Sequence, residues 1–151
     1  MVNGTKEVNT KQSVITLVLN LQKPLKELME EIITLMDTYE HAWQLSHAMT
    51  KILIGSKPKP VKLPDELIFA ASAVRTLPNL VRDIDLQNLG TYLDAEFSCL
   101  ESIRKLILEL AQASNKRVIA AIKDDIKDLC RENLSSIKKV NSIATKMSAA
   151  F

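Results

Sequence analysis

The segment Leu21–Tyr39, LQKPLKELMEEIITLMDTY, decides the fold. Its apolar side chains recur at alternating steps of three and four, which return each of them to one stripe of an α-helix. The stripe consists of Leu21, Leu25, Leu28, Ile32, Leu35 and Tyr39. An apolar stripe of this length must be covered, by other helices of the chain, a partner helix, a membrane surface or an apolar ligand.

Helix start and stop signals extend this pattern on both sides. The first helical segment is predicted from about Ser13 to Ile54, and Pro24 within it predicts a kink or a division into two helices. A loop over residues 55–62 follows, and a second helix opens at Leu63–Glu66 with Pro and two acids in its first turn. Pro78 predicts a bend of that second helix near Arg75 to Leu77, within an apolar seam formed by Leu67, Ala70, Val74, Leu77, Val81 and Ile84. Residues 1–12 are polar and predict a flexible tail, which leaves 13–151 as a single domain.

Two further helices complete the pattern. Asp83 or Asp85 can cap a third helix that ends near Gln112, and Ser114 or Asn115 can cap the last one. The third stripe is Leu86, Leu89, Leu93, Phe97, Leu100, Ile103, Ile107 and Leu110. The fourth is Ile119, Ile122, Ile126, Leu129, Ile137, Val140, Ala144, Met147 and Phe151, interrupted by Asn133. The connection between the third and fourth helices is so short that it predicts an antiparallel helical hairpin. The chain as a whole is predicted to be an all-α, up-and-down bundle of four to five helices with a Pro-kinked first helix.

Composition limits the classes of function. Only 4% of the 151 residues are aromatic, which favours an aliphatic helical core. The chain contains 3 Gly, too few to suggest a Gly-rich phosphate-binding loop. The net charge of +2 lacks the strong basic excess typical of nucleic-acid binding. With no catalytic motif and no apparent cofactor site, the sequence predicts a protein that is not an enzyme. No signal-peptide pattern surrounds the apolar run at 14–19, which favours the cytoplasm or a mature secreted form.

Cysteine and histidine spacing leaves one question open. Cys99 and Cys130 lie at nearly equal distances from the predicted turn, so they are either two buried thiols or a disulfide that would argue for secretion. His41 and His47 are six residues apart, which points the rings to different helix faces. With no third ligand in the pattern, no metal site is expected.

Adaptable and aromatic side chains mark the candidates for contact with an apolar ligand. Methionine and aromatic residues fill irregular apolar spaces, in a core as well as in a binding site. The candidates are Met36, Tyr39, Trp43, Phe69, Val74, Phe97 and Ile107.

The arrangement resembles the fungal hydrophobic-surface-binding proteins and the related cell-wall galactomannoprotein domains. The segments that carry the resemblance are Leu19–Leu25, Leu63–Leu67, Val74–Pro78 and Leu93–Leu110. The resemblance implies a secreted helical bundle that holds a fatty-acid-like ligand; without it, the expected compartment is the cytoplasm.

Three functions therefore remain open. The first is a non-enzymatic binding protein whose helices enclose or present an apolar surface to a lipid-like small molecule. The second is an intracellular interaction module that pairs an exposed amphipathic seam with a partner helix or with a second copy of the chain. The third is a peripheral membrane protein, which needs a basic helix face opposite an apolar one. The last helix carries basic residues, but acids are interspersed among them.

Overall fold

Four helices account for most of the chain, in a computed structural model that describes residues 2–38, 44–45, 47, 63–77 and 84–149. They are α1 (Val2–Thr38), α2 (Leu63–Thr76), α3 (Ile84–Gln112) and α4 (Lys116–Ala149). The described residues contain no strand, so the all-α class predicted from the stripes is confirmed. None of the helices in these residues combines the length and the apolar character that crossing a membrane requires.

The helices form a ring of four neighbours. α4 packs most extensively against α3 and α1, α2 packs against α3 and less extensively against α1, and α1 and α3 face each other across the diagonal. Lys127 of α4 pairs with Asp37 of α1, and Asn133 lies against Met29. Because numbers rise along one helix as they fall along the other, α1 and α4 run antiparallel.

The predicted stripes supply the core. Leu25, Ile32, Leu93, Ile103 and Ile126 are each fully buried, and most other stripe positions are buried with them. Burying a side chain of this size contributes roughly 1.5–3 kcal/mol relative to leaving it in water. Four amphipathic helices therefore cover one another's apolar faces.

Two stripe positions differ from the prediction. The sequence pattern placed Phe97 on the buried face of the third helix, but Phe97 is only partly buried and its neighbour Glu96 is fully buried. Ile84, predicted as part of the seam of the second helix, begins α3 and is 70% exposed. Glu96 lies three residues after Leu93 and four before Leu100, so it also fits a helical stripe, and tertiary packing selected it.

The N-terminal helix begins earlier than predicted. A flexible tail was expected over 1–12, but α1 starts at Val2 and runs unbroken through Pro24 to Thr38. Residues 5–12 contain no Gly or Pro, and extending an existing helix through polar residues costs little per residue. Pro24 itself is exposed, where its ring avoids the packed face. The predicted loop at 55–62, the helix end at Ile54, and the positions Pro78 and Phe151 lie outside the described residues.

The α3–α4 turn agrees with its sequence signals. α3 ends at Gln112 and α4 starts at Lys116, and the Arg117 amide donates to the Asn115 side-chain oxygen at 2.8 Å. Of the two predicted candidates, Ser114 and Asn115, it is therefore Asn115 that caps α4, because its side chain satisfies one of the amides that the first turn leaves without a helical partner.

Replacing this cap is expected to destabilise the protein. Asn115→Ala should lower the free energy of unfolding by about 1 kcal/mol, since an amide of the first turn loses its acceptor. Urea denaturation followed by circular dichroism measures the change. Ser114→Ala, at the adjacent exposed position, is the control and should cost less. Equal costs for the two variants would contradict the assignment of Asn115 as the cap.

Candidate functional site

The residues predicted to contact a ligand do not form one group in the structure. Met36, Val74 and Ile107 are buried on three different helices, and Phe97 packs partly buried against the core. Phe69 is 65% exposed on the outer face of α2. The other two predicted contacts, Tyr39 and Trp43, lie outside the described residues. Of the predicted set, Val74 lines a surface cleft.

This cleft lies between α2 and α3 and has a volume of about 340 Å³. Val74, Leu86 and Gly90 are buried residues and form its floor. Four exposed polar residues form its rim: Arg75, Gln87, Thr91 and Asp94. We refer to these seven residues as the α2–α3 cleft. It combines an apolar floor with a polar edge, the usual composition of a small-molecule site.

Gly90 helps to make room for the cleft. A Cβ atom added at Gly90 would lie 3.7 Å from Val74 Cγ1, which is ordinary van der Waals contact. A glycine in a helix interior costs roughly 0.5–1 kcal/mol relative to alanine, so its presence here has a local cost. What it provides is space: every larger side chain at position 90 would extend from the α3 wall toward Val74.

The rim carries an ion pair. Arg75 at the end of α2 pairs with Asp94 of α3, and both side chains are about half exposed. The Thr91 hydroxyl donates to the Gln87 carbonyl at 3.0 Å, within α3. Gln87, Thr91 and Asp94 are four and three residues apart, so they form one row along the helix. The charges of the rim therefore sum to zero.

A second feature lies in the core, where α1, α3 and α4 meet. Gln22, Glu96 and Asn133 are at most 1% exposed and are the buried polar side chains of the described residues; we call them the central polar layer. The Gln22 amide donates to Glu96 Oε2 at 3.4 Å and to the Val18 carbonyl at 3.2 Å. The Asn133 amide points to Met29 Sδ at 3.4 Å.

Each member of this layer keeps an unsatisfied oxygen. Gln22 Oε1, Glu96 Oε1 and Asn133 Oδ1 have no hydrogen-bond partner among the described residues. Leaving a buried polar atom unpaired costs roughly 1–3 kcal/mol. The layer is therefore a costly feature of an otherwise aliphatic core.

Burial controls the protonation of Glu96. Desolvation raises the pKa of its carboxyl group from the usual 4.5 to about 8, and the hydrogen bond from Gln22 opposes this shift only in part. Glu96 is therefore mainly protonated at neutral pH. A protonated carboxyl group carries an O–H that the ionised form lacks, so it donates as well as accepts hydrogen bonds.

The two cysteines lie next to this layer as free thiols. The Cys99 thiol donates to the Leu129 carbonyl at 3.0 Å, which places it beside Cys130 on α4 and confirms their predicted equal height. Burial raises the pKa of Cys99 to about 11 and that of Cys130 to about 12. Since the thiolate is the nucleophile, neither group is prepared for nucleophilic chemistry at neutral pH.

The described side chains were compared with the requirements of a metal site and with known proteins. No cluster of three or more His, Cys, Asp and Glu residues among them could hold a metal ion. Comparisons with protein-family models, with characterised proteins and with solved structures found no match. The chemistry of the cleft and of the core is therefore the available guide to function.

Sequence reasoning missed most of these residues. Gln22 and Glu96 each occupy a stripe position, four residues after Val18 and three after Leu93, so their burial had a periodic signal. The isolated Gly90 inside a helical pattern was a signal for close packing or for a cavity. The Arg75–Asp94 pair joins two helices and had no local signal.

Ionisation of Glu96 should make stability depend on pH. Its pKa is raised in the folded state, so folding favours the protonated form, and stability falls as the pH rises from about 4.5 to about 8. The slope is at most about 1.4 kcal/mol per pH unit. Glu96→Gln cannot ionise and should remove this component, which urea titrations at several pH values measure.

The matched control for this experiment is Glu109→Gln, an exposed position on the same helix. The control should keep the pH dependence of the wild type. An unchanged pH dependence in Glu96→Gln would show that Glu96 does not titrate inside the core.

Burial should also protect both thiols. In the reduced native protein, Cys99 and Cys130 should react with a disulfide reagent such as dithionitrobenzoate far more slowly than they do after unfolding in guanidinium. In guanidinium, two thiols per chain should react. Release of thionitrobenzoate, followed by absorbance, gives both the rate and the count. Rapid reaction of either thiol in the native protein would contradict the burial.

Proposed function

We propose that the protein is a non-enzymatic binding protein whose α2–α3 cleft takes the apolar chain of a lipid-like small molecule. The observation that carries the proposal is the cleft itself, with its floor of Val74, Leu86 and Gly90 below a polar rim. Its volume of about 340 Å³ falls near the lower end of the ~300–1,000 Å³ typical of small-molecule sites. A single short chain is the ligand that suits this size.

The expected affinity follows from the apolar area that such a chain removes from contact with water. Each fully buried methylene contributes about 0.8 kcal/mol, so a chain with about six methylenes in the cleft gains at most about 5 kcal/mol. This upper limit corresponds to a dissociation constant no tighter than roughly 0.2 mM. The cleft is open on one side, so binding is expected to be weak and reversible.

The resemblance to the fungal hydrophobic-surface-binding proteins supports a ligand with an apolar chain and says nothing of its polar end. It would also place the protein outside the cell, whereas a cytoplasmic location would suit an interaction module. The finer architecture stays a prediction with it: a kink of the first helix at Pro24 or its division there into two, which would give five helices in place of four.

A second candidate function is favoured by the outer face of α2. Ile68 is 47% exposed and Phe69 is 65% exposed, side by side on one helix. Large apolar side chains in such positions are typical anchors for a partner protein. The stripes of α1 and α3 are covered within the bundle, so we assign the interaction alternative to this face of α2, with a partner helix or a second copy of the chain as the occupant.

Filling the cleft should abolish binding of a short-chain probe. In a titration with 1-octanol followed by ¹H–¹⁵N correlation spectra, residues lining the cleft should shift in the wild type. Gly90→Leu places a side chain in the cleft and should weaken binding at least tenfold. Thr91→Phe does the same from the exposed rim, so it tests the idea even if position 90 tolerates only small residues.

The matched control is Gly90→Ala. Its added methyl group meets Val74 at an ordinary contact distance and removes the flexibility of glycine, so it should stabilise the protein by roughly 0.5–1 kcal/mol and weaken octanol binding less than leucine does. Absence of cleft shifts in the wild type, or equal binding by Gly90→Leu, would rule out the cleft as the site.

A further inference from the structure

The rim of the α2–α3 cleft specifies more than an apolar chain. A ligand chain on the floor formed by Val74, Leu86 and Gly90 leaves its polar end among Arg75, Thr91 and Asp94. This inference rests on the proposed binding function and names the chemistry of that polar end. The deciding feature is how the two opposite charges of the rim are used.

Arg75 and Asp94 already satisfy each other. Their direct ion pair places the guanidinium of α2 on the carboxylate of α3 across the rim. A ligand carboxylate that approached Arg75 would also meet the negative charge of Asp94. A ligand ammonium group that approached Asp94 would meet the positive charge of Arg75. Either ion would have to compete with an existing partner and would lose part of its own hydration.

A neutral polar head meets no such conflict. The guanidinium has five N–H donors in a planar fork, and a single carboxylate leaves some of them available. The carboxylate of Asp94 accepts hydrogen bonds at several lone-pair positions, and the Thr91 hydroxyl, which donates to the Gln87 carbonyl, still accepts. A hydroxyl group both donates and accepts, so it can bond to the paired rim without breaking the ion pair.

We infer that the α2–α3 cleft selects a neutral amphiphile with an alkyl chain and a hydroxyl-bearing head, and discriminates against fatty-acid anions and alkylammonium cations. The Arg75–Asp94 pair is the specificity element. Because this pair sets the preference by mutual neutralisation, removing either partner should convert the cleft into a site for an ion of the opposite sign to the partner that remains.

The test compares three probes of equal chain length, 1-octanol, octanoate and octylammonium, by the same spectral titration at pH 7.4. In the wild type, octanol should bind at least tenfold more tightly than either ion. Asp94→Asn leaves Arg75 unpaired and should improve octanoate binding about tenfold. Arg75→Gln leaves Asp94 unpaired and should improve octylammonium binding by a similar factor. Octanol affinity should change less than threefold in both variants.

The pair Asp128–Arg131 provides the matched control, since both side chains are exposed on α4 and their contact is an ion pair at 3.2 Å. Asp128→Asn changes the net charge as Asp94→Asn does and should leave all three affinities unchanged. Both cleft variants alter exposed side chains, so folding is expected to persist, and circular dichroism checks this.

The outcomes separate this inference from the proposed function. If octanol binds and the two variants exchange the preferred ion as stated, the neutral rim is the specificity element. If octanoate binds the wild type as tightly as octanol, or Asp94→Asn fails to improve octanoate binding, the inference is overturned while the binding function stands. If none of the probes shifts the residues of the cleft, the proposed function fails and the inference fails with it.

Discussion

Burial of the α4 stripe between α1 and α3 is the constraint on which the rest of the structure depends. α4 is the most strongly segregated of the helices: Ile122, Ile126, Ile137 and Val140 are buried while the charged residues between them are mostly exposed. Such a stripe is wider than one neighbouring helix can cover, so two helices pack against it. The short turn at 113–115 fixes α3 as one of them, and antiparallel packing brings α1 to the other side.

The central polar layer then favours one alignment of α1 against α3. An aliphatic interface tolerates sliding by one turn, because one leucine replaces another. Gln22 and Glu96 do not tolerate it, since a shifted α1 would leave the buried carboxyl group without its amide donor. The layer costs stability through its unpaired oxygens and through the neutralisation of Glu96. In return it favours one register of α1 against α3 across the bundle, as single buried polar residues do in coiled coils.

The apolar stripes depend on local sequence, whereas the polar contacts depend on which helices meet. This difference explains what the sequence could predict. Periodicity reports which face of a helix is apolar, and cap residues report where a helix starts. The stripes, the α3–α4 hairpin and a cap at Ser114 or Asn115 therefore followed from local patterns. Periodicity alone could not choose between Glu96 and Phe97, because both lie near the edge of the stripe and the choice depends on which neighbour approaches. The cleft depends on Arg75 meeting Asp94 and on Gly90 facing Val74, and these pairings exist only after α2 has packed on α3.

The position of the cleft also has an energetic consequence. α2 has 14 residues, too few for a stable isolated helix in water, so it depends on the contacts of Leu67, Ala70 and Val74 with its neighbours. α2, which forms one wall of the cleft, is thus the helix that packs least extensively against the rest of the bundle. A ligand that binds only when α2 is in place stabilises that arrangement by mass action, in proportion to the logarithm of its concentration over its dissociation constant. Such coupling would make α2 the part of the bundle whose order responds most to a bound chain, while α1, α3 and α4 keep the core around Glu96 unchanged.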